Sequence, residues 1–405
     1  MHPAAAVPSC GIAYSHSAMG TNLHSSLDAE HLSSFPGHLF CLDSPFGVQM
    51  YSVGQHKIRL MYKTGAAMSR KSFSARIVNQ TVLAACLLLS AAVFAQECSQ
   101  ASEIEPATRA AIDNAAGQFI QFASHGDVQS LRQASIPALA SSFDGIQRAV
   151  THDKGLLGDQ VTIRREYFLD ASKVTSRLPR AEFFCGIYGS SGHTASSASF
   201  AIPNLDPGQY ALALTNVTGG KIPYMVTLVL QNLQGQWKLA GYYPKPGEVS
   251  GHDAVWYVQQ ARKYKQQGQL HNAWFCYVLA WEIYSPVDFM SSLQLDKLSS
   301  EIQAARPAGV PLNDVVPLQA ANGRTYNLTQ AFAAPDDHGQ LSLVVKYQVA
   351  DISNTALAFQ DNNAVIKAMV DKYPELRQAF SGIVARATLP SGQDYGTLLA
   401  MKDIK

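Results

Sequence analysis

The side chains with the clearest potential for chemistry lie in a run of predicted strands between residues 161 and 246. A carboxyl group inside a folded domain can act as a general acid or base, because burial moves its pKa toward neutral pH. The candidates for this role, or for the matching role of a phenol, are Glu166, Asp170, Glu182, Tyr167, Tyr188 and Tyr210. Glu166 follows Arg164 and Arg165 in the strand and therefore most simply belongs to a solvated face. No catalytic residue is therefore assigned.

Motifs for nucleophilic, nucleotide-dependent or metal-dependent chemistry do not stand at suitable strand or helix boundaries. This holds for G-x-S-x-G, G-x-G-x-x-G, the Walker loop, H-E-x-x-H and the EF-hand loop. Asp336, Asp337 and His338 lie together, but a turn flanked by Pro and Gly is more typical of a polar loop than of a metal site. The sequence predicts no metal and no cofactor.

The composition is that of a globular protein without a nucleic-acid surface. Of 405 residues, 47% are hydrophobic and 15% are charged, which suffices to bury the cores of two or three domains. Lys and Arg number 31 against 30 Asp and Glu, so the formal net charge is +1. A chain with this balance has no basic face for nucleic acid.

Residues 68–95 have the features of a secretory signal peptide. Arg70, Lys71 and Arg76 precede an apolar run over residues 82–94 that ends in small residues. We predict cleavage after Ala95 and a periplasmic or secreted product. Residues 1–67 lie upstream of a signal that acts from the extreme N-terminus, so they are predicted to be a non-native or disordered extension before a true start at Met68.

Two other interpretations of this segment stay open. Residues 77–95 are just long enough to anchor an uncleaved chain in a membrane. The stretch Leu83-Ala84-Ala85-Cys86 resembles the bacterial lipoprotein box, in which Cys86 would carry the lipid. Contact with a membrane is expected only through this segment.

Three cysteines follow the predicted cleavage point: Cys98, Cys185 and Cys276. One disulfide with a leftover thiol is compatible with an oxidising compartment. The favoured interpretation is that Cys185 and Cys276 are small buried apolar residues, because both stand among aromatic residues.

Helices and then strands are predicted for residues 105–247. Glu105 and Pro106 begin a helix, and Gly126 with Asp127 ends it and caps a second one. The apolar residues of the first helix recur at helical spacing: Ile112, Ala116, Phe119, Ile120 and Ala123. From residue 161 onward, alternation and turn residues predict four to six antiparallel strands.

The clearest of these strand signals is a hairpin over residues 222–246, with a turn at Gln234 and Gly235. Strict alternation places Trp237 and Tyr243 on one face of its second strand and Tyr242 on the other. The hairpin is expected to join this domain to the next, with one face meeting the aromatic residues around Trp256.

This order of elements, with the stretches FIQFASHGDVQSL and QGQWKLAGYY, resembles the nuclear transport factor 2-like (cystatin-like) fold over residues 107–246. The resemblance implies helices packed on a curved, cone-like antiparallel sheet. It implies no particular function, because enzymes and accessory domains share the fold.

Residues 251–306 are predicted to form a helical hairpin with a break near Gly268, followed by a capping helix. The hairpin resembles a single tetratricopeptide repeat. The positions that carry this resemblance are Tyr257, Ala261, Tyr264, Ala273, Tyr277 and Ala280. One repeat does not stand alone, so the hairpin must pack on a neighbouring domain.

The hairpin is rich in aromatic residues, which either fill the contacts with two neighbouring domains or line an exposed groove for a protein, peptide or glycan. Burial is the favoured interpretation. The residues named for a binding surface are Trp256, Tyr257, Trp274, Tyr277 and Trp281, with Tyr188 and Glu166 of the first domain.

Residues 312–405 are predicted to form a small α+β unit. Its signals are a hairpin turn at Asn322-Gly323, a strand from Leu341, a helix capped by Asp361, and two final strands. The fold class expected for the whole chain is therefore α+β.

The expected function is that of an exported, non-catalytic binding or scaffolding protein of the cell envelope. The alternative is a small-molecule enzyme or carrier that uses the interior of the cone-like domain, with Glu166, Tyr188 or Asp170 as acid or base.

Overall fold

The computed structural model describes residues 96–188, 192–311 and 314–405, without the side chains of residues 188 and 192–196. Within these ranges the chain is α+β, as predicted. The N-terminal extension, the signal peptide and Cys86 lie outside the described residues.

Four helices precede the main sheet, and they are α1 (Pro106–His125), α2 (Val128–Gln133), α3 (Pro137–Ser141) and α4 (Asp144–Asp153). α1 begins where predicted, because the Glu105 carboxylate accepts hydrogen bonds from two N–H groups of the first turn. It ends at Gly126, whose φ of 71° is the left-handed conformation that glycine adopts without strain. The five apolar residues predicted to face the core are all buried.

The strands of this part of the chain are β1 (Glu97–Gln100), β2 (Gln160–Asp170), β3 (Leu178–Tyr188), β4 (Gly192–Leu205), β5 (Gln209–Thr218), β6 (Tyr224–Leu233), β7 (Gln236–Pro246), β8 (Glu248–Val249) and β9 (His252–Asp253). One antiparallel sheet, sheet 1, has the order β1-β2-β5-β6-β7. Strands β3 and β4 form sheet 2 with β10 (Met290–Ser292). β1 was not predicted, because four residues without an apolar alternation carry no strand signal.

Both faces of sheet 1 are covered. α1 packs on β2, β5 and β7, so the helices cover one face, which we call the helix face. On the opposite face, Tyr167 of β2 contacts Phe200 of β4 with ring centroids 5.0 Å apart. A single apolar core, which we call the first core, therefore runs through the four helices, sheet 1 and sheet 2.

A disulfide joins the edge of sheet 1 to sheet 2. Cys98 of β1 and Cys185 of β3 are bonded, with their Cα atoms 5.1 Å apart. The expectation of a free Cys185 is wrong, whereas Cys276 is free and buried. Phe184 stands next to Cys185 in the sequence, but it is 61% exposed on the other side of the strand and does not surround the cysteine.

β6 and β7 form the predicted hairpin. Gln234 and Gly235 have φ values of 55° and 83°. Left-handed conformations at both positions are what a two-residue turn needs to match the twist of its strands.

The predicted faces of β7 are wrong, because the strand is not regular. Val229 pairs with Gly241 and Leu230 with Leu239, so Ala240 is an extra residue in a β-bulge. The bulge reverses the alternation beyond it. Trp237 and Tyr242 consequently share the helix face, and Tyr243 lies on the other.

The helical hairpin has the predicted break. It consists of α5 (Ala254–Gln266) and α6 (Leu270–Tyr284), and a third helix, α7 (Leu293–Ala304), follows β10. The six residues that carried the resemblance to a tetratricopeptide repeat are all buried. The hairpin shares its core with the C-terminal unit, which supplies the neighbour that a single pair of helices requires.

β7 contacts the chain beyond its own sheet, but not through the predicted partners around Trp256. Tyr243 packs edge-on against Phe289, with ring centroids 5.8 Å apart. The Lys245 ammonium donates a hydrogen bond of 3.0 Å to the backbone carbonyl of Ser285. The contact thus uses the segment after α6 and not the surroundings of Trp256.

The C-terminal unit is one five-stranded sheet with a helix. Its elements are β11 (Val316–Gln319), β12 (Thr325–Pro335), β13 (Leu341–Gln348), α8 (Thr355–Lys372), a 3-10 turn (Pro374–Gln378), β14 (Gly382–Thr388) and β15 (Asp394–Ala400). Neighbouring strands are antiparallel except β13 and β14, which α8 connects in parallel. α8 is capped by Asn354, not Asp361. Asp361 lies inside the helix, where it is buried and pairs with Arg324 and Tyr326.

We predict that loss of the disulfide destabilises the first core. The bond closes a loop with a sequence separation of 87 residues, and cross-links of that length contribute about 4 kcal/mol to the free energy of unfolding. Replacing both Cys98 and Cys185 with Ser should lower the urea midpoint accordingly. Reductant should lower the midpoint of the unaltered protein and leave that of the double variant unchanged. Equal midpoints for the two proteins without reductant would contradict the bond.

Candidate functional site

A buried carboxyl group lies where α1 crosses β2. Glu166 is only 2% exposed, so the expectation of a solvated position is wrong. The register shifts between Ile163 and Arg165, which makes Arg164 an extra residue in a β-bulge. The bulge reverses the alternation and turns Glu166 toward the helix face.

One side of α1 supplies the partners of this carboxyl group. Arg109, Asp113 and Gly117 recur at intervals of four residues and therefore follow one side of the helix. This stripe runs beside the buried stripe of Ile112 and Ala116. The helix thus packs on the sheet with one stripe and brings charged groups to β2 with the next.

Glu166 and Asp113 each have one buried oxygen that no donor of the described residues reaches. The Arg109 guanidinium donates from Nε to Oε2 of Glu166 at 2.8 Å. The other oxygen, Oε1, and Oδ1 of Asp113 are both buried and accept no hydrogen bond from any N–H or O–H group of the described residues. Two carboxyl groups form a hydrogen bond with each other only when one of them carries a proton. We therefore treat Asp113 and Glu166 as an acid pair that shares one proton.

The surroundings favour the protonated form. Burial, a hydrogen bond with Asp113 and the negative charge of Asp113 raise the pKa of Glu166 to about 7, although Arg109 acts in the opposite direction. A carboxyl group with this pKa can gain or lose a proton near neutral pH.

An open cleft of about 750 Å³ lies beside the acid pair, between α1 and the turn of the β6–β7 hairpin. Asp113 belongs to both the cleft and the acid pair, since it lines the cleft and is one of the groups that raise the pKa of Glu166. Gly117 leaves room in the wall, because a Cβ atom added there would meet no atom within 4 Å. The lining residues are Ala111, Asp113, Asn114, Ala115, Gly117, Gln118, Phe119, Gln121, Ala134, Gly235, Gln236, Trp237 and Lys238.

The other predicted acids lie elsewhere and have structural partners. Asp170 ends β2; although burial acts to raise its pKa, hydrogen bonds from Ser172 and Gln209 lower it. Glu182 is exposed on β3, where it pairs with Arg180 at 2.8 Å. Neither residue approaches the cleft lining.

Two of the three predicted phenols, Tyr167 and Tyr210, have other structural contacts. Tyr167 is buried against Phe200 on the opposite face of sheet 1. Tyr210 donates to the backbone carbonyl of Asp206 at 2.9 Å, and burial raises its pKa to about 12. The strand position of Tyr188 is at the end of β3, and its side chain lies outside the described atoms.

The aromatic residues of the helical hairpin mostly fill its core. Tyr257, Trp274 and Tyr277 are buried, and Trp281 is partly buried. Trp256 is 38% exposed and stacks on His252 with ring centroids 3.6 Å apart. The structure therefore brings these residues together as packing and leaves one of them at the surface.

Metal ligation has no candidate within the described ranges. No group of three or more His, Cys, Asp or Glu side chains there is arranged to hold an ion. Asp336 and His338 form a polar turn, in which the Asp336 carboxylate accepts from the backbone N–H of His338 at 2.9 Å.

Comparison with known proteins identifies no relative: no family model, no curated protein and no solved structure matches this chain. Among the described residues, no helix is long and apolar enough to cross a membrane.

Sequence reasoning named Glu166 but missed Asp113 and Arg109. The available signal was their spacing, four residues apart and one position from a buried stripe on the same helix. Their pairing with Glu166 depends on the bulge at Arg164, which alternation alone does not reveal.

We predict that Glu166 makes stability fall as the pH rises toward 8. Its pKa is raised from 4.5 to about 7, so the folded state holds the proton more tightly than the unfolded chain. That contribution to the free energy of unfolding is complete below pH 4.5 and is lost as the pH passes through about 7. Between pH 5 and pH 8 the free energy of unfolding should therefore fall by about 1–3 kcal/mol less in Glu166→Gln than in the unaltered protein. Urea unfolding at the two pH values measures this difference.

A matched control is Glu301→Gln. Glu301 pairs with Arg262 at 2.6 Å and hydrogen bonds lower its pKa, so its titration lies below this pH range. The control should keep the pH dependence of the unaltered protein. Parallel curves for the Glu166 variant and the unaltered protein would contradict the shared proton.

Proposed function

We propose that this is an exported binding protein whose ligand is a small polar molecule held in the cleft beside the acid pair. The observation that carries the proposal is the position of Asp113, which lines the cleft and at the same time is one of the groups that raise the pKa of the buried Glu166. A ligand in the cleft would contact the Asp113 carboxyl group, which accepts hydrogen bonds and lies next to the titratable Glu166.

The acid pair is costly for stability, and this supports a functional role. Burying two carboxyl groups against each other removes them from water and raises the free energy of whichever is ionised. An apolar pair at this contact would stabilise the fold without that cost. Perturbed carboxyl groups beside a cleft are more often found at functional sites than elsewhere.

Export is supported by two independent features. Residues 68–95 have the pattern of a cleaved signal peptide. The Cys98–Cys185 disulfide is a bond that persists in oxidising compartments such as the periplasm.

A second candidate function is that of a small-molecule enzyme. It is favoured by the pKa of Glu166, which burial and Asp113 raise to about 7, the range in which one group can serve as acid and as base. In that case Asp113 would contact the substrate and Glu166 would hold the exchanged proton.

A scaffolding function on the helical hairpin has less support. Most of the aromatic residues that motivated it are buried in the core shared with the C-terminal unit. Trp256 remains as the exposed member of that set.

The cleft can be tested by blocking it. Gly117→Trp would place an indole in the open space of the cleft wall, and the change from Gly does not oppose helix formation. We expect the unaltered protein to retain small molecules from an extract of envelope metabolites and cell-wall digest, and the blocked variant to lose them by mass spectrometry. Ligands recovered with unchanged mass support binding, and a mass change with turnover supports the enzyme.

Gln147→Trp is the matched control, because Gln147 is exposed on α4 outside the cleft lining. It should retain the same molecules as the unaltered protein. Equal retention by the blocked variant, or none by any protein, would contradict the proposed cleft.

A further inference from the structure

The polar groups that line the cleft are mostly uncharged amides. Asn114, Gln118, Gln121 and Gln236 are exposed, and their side-chain amides bond no other described residue. Each amide offers both donors and an acceptor. Lys238 and Asp113 are the charged lining residues and are of opposite sign. This lining suits a neutral ligand with many hydroxyl groups better than an ion.

Two aromatic residues belong to the cleft lining beside these amides. Phe119 of α1 is only 2% exposed, so Trp237 of β7 is the aromatic residue that a ligand can reach. Trp237 is 9% exposed and is held by an edge-on contact with Phe168, with ring centroids 6.2 Å apart. A saccharide ring has C–H faces for such a wall and hydroxyl edges for the amides.

The acid pair completes a site for a hydroxyl group. A hydroxyl group donates one hydrogen bond, and a carboxyl oxygen of Asp113 in the cleft lining can accept it.

We propose that the ligand of the cleft is a neutral saccharide. This inference rests on the proposed function of the same cleft and specifies the class of its ligand. A peptide is the alternative occupant, since amides also bond with peptide groups.

Saturation-transfer NMR on the full protein tests the ligand class with defined probes. The saccharide probes are maltotetraose, cellotetraose, chitotetraose and mannotetraose, and tetra-alanine is the peptide probe. We expect binding of at least one saccharide, with affinity about tenfold lower in Gln118→Ala, because one direct hydrogen bond is lost. Gln147→Ala, an exposed change on α4, should bind as the unaltered protein does.

Three results would overturn the inference. The first is that the unaltered protein binds none of the saccharides, and the second is that Gly117→Trp binds them as well as the unaltered protein does. The third is that tetra-alanine is the one probe that binds. If no saccharide binds but Gly117→Trp retains fewer small molecules from the extract than the unaltered protein, the ligand class is wrong and the cleft is still a binding site. If Gly117→Trp retains the same molecules as the unaltered protein, the proposed function is wrong as well.

Discussion

The contact between α1 and β2 depends on a proton. The packing of an apolar stripe of α1 on sheet 1 brings Glu166 and Asp113 to this contact, and each has a buried oxygen that no donor within the described part of the chain reaches. If both were ionised, their repulsion would oppose the packing that holds the first core together. Arg109 offsets part of that charge from one side only. The fold and the chemistry of the cleft are thus coupled through one shared proton.

Two β-bulges, one in β2 and one in β7, decide which side chains lie on the helix face of sheet 1 near the acid pair and the cleft. The bulge at Arg164 turns Glu166 toward α1, and the bulge at Ala240 keeps Trp237 and Tyr242 on the same face. Irregularities of this kind often lie next to functional sites, because they aim a side chain that a regular strand would turn away. The acid pair lies beside the first bulge, and the cleft wall includes Trp237.

Regular features of the fold were predictable, and irregular ones were not. The apolar stripe from Ile112 to Ala123, the turn at Gln234 and the break at Gly268 follow from local physics, and all are present. The burial of Glu166 and the Cys98–Cys185 bond depend on register and on contacts distant in sequence, which periodicity does not encode. The cap of α8 was misplaced for a similar reason, since Asp361 is polar but buried by tertiary partners.

The most direct test is a carbon-13 NMR titration of the side-chain carboxyl groups. Glu166 should titrate with a midpoint near 7, because burial and the neighbouring Asp113 raise its pKa. Replacement of Asp113 with Asn should move the Glu166 midpoint downward, since an amide N–H stabilises the carboxylate. A Glu166 midpoint at its ordinary value of 4.5 in the unaltered protein would contradict the shared proton.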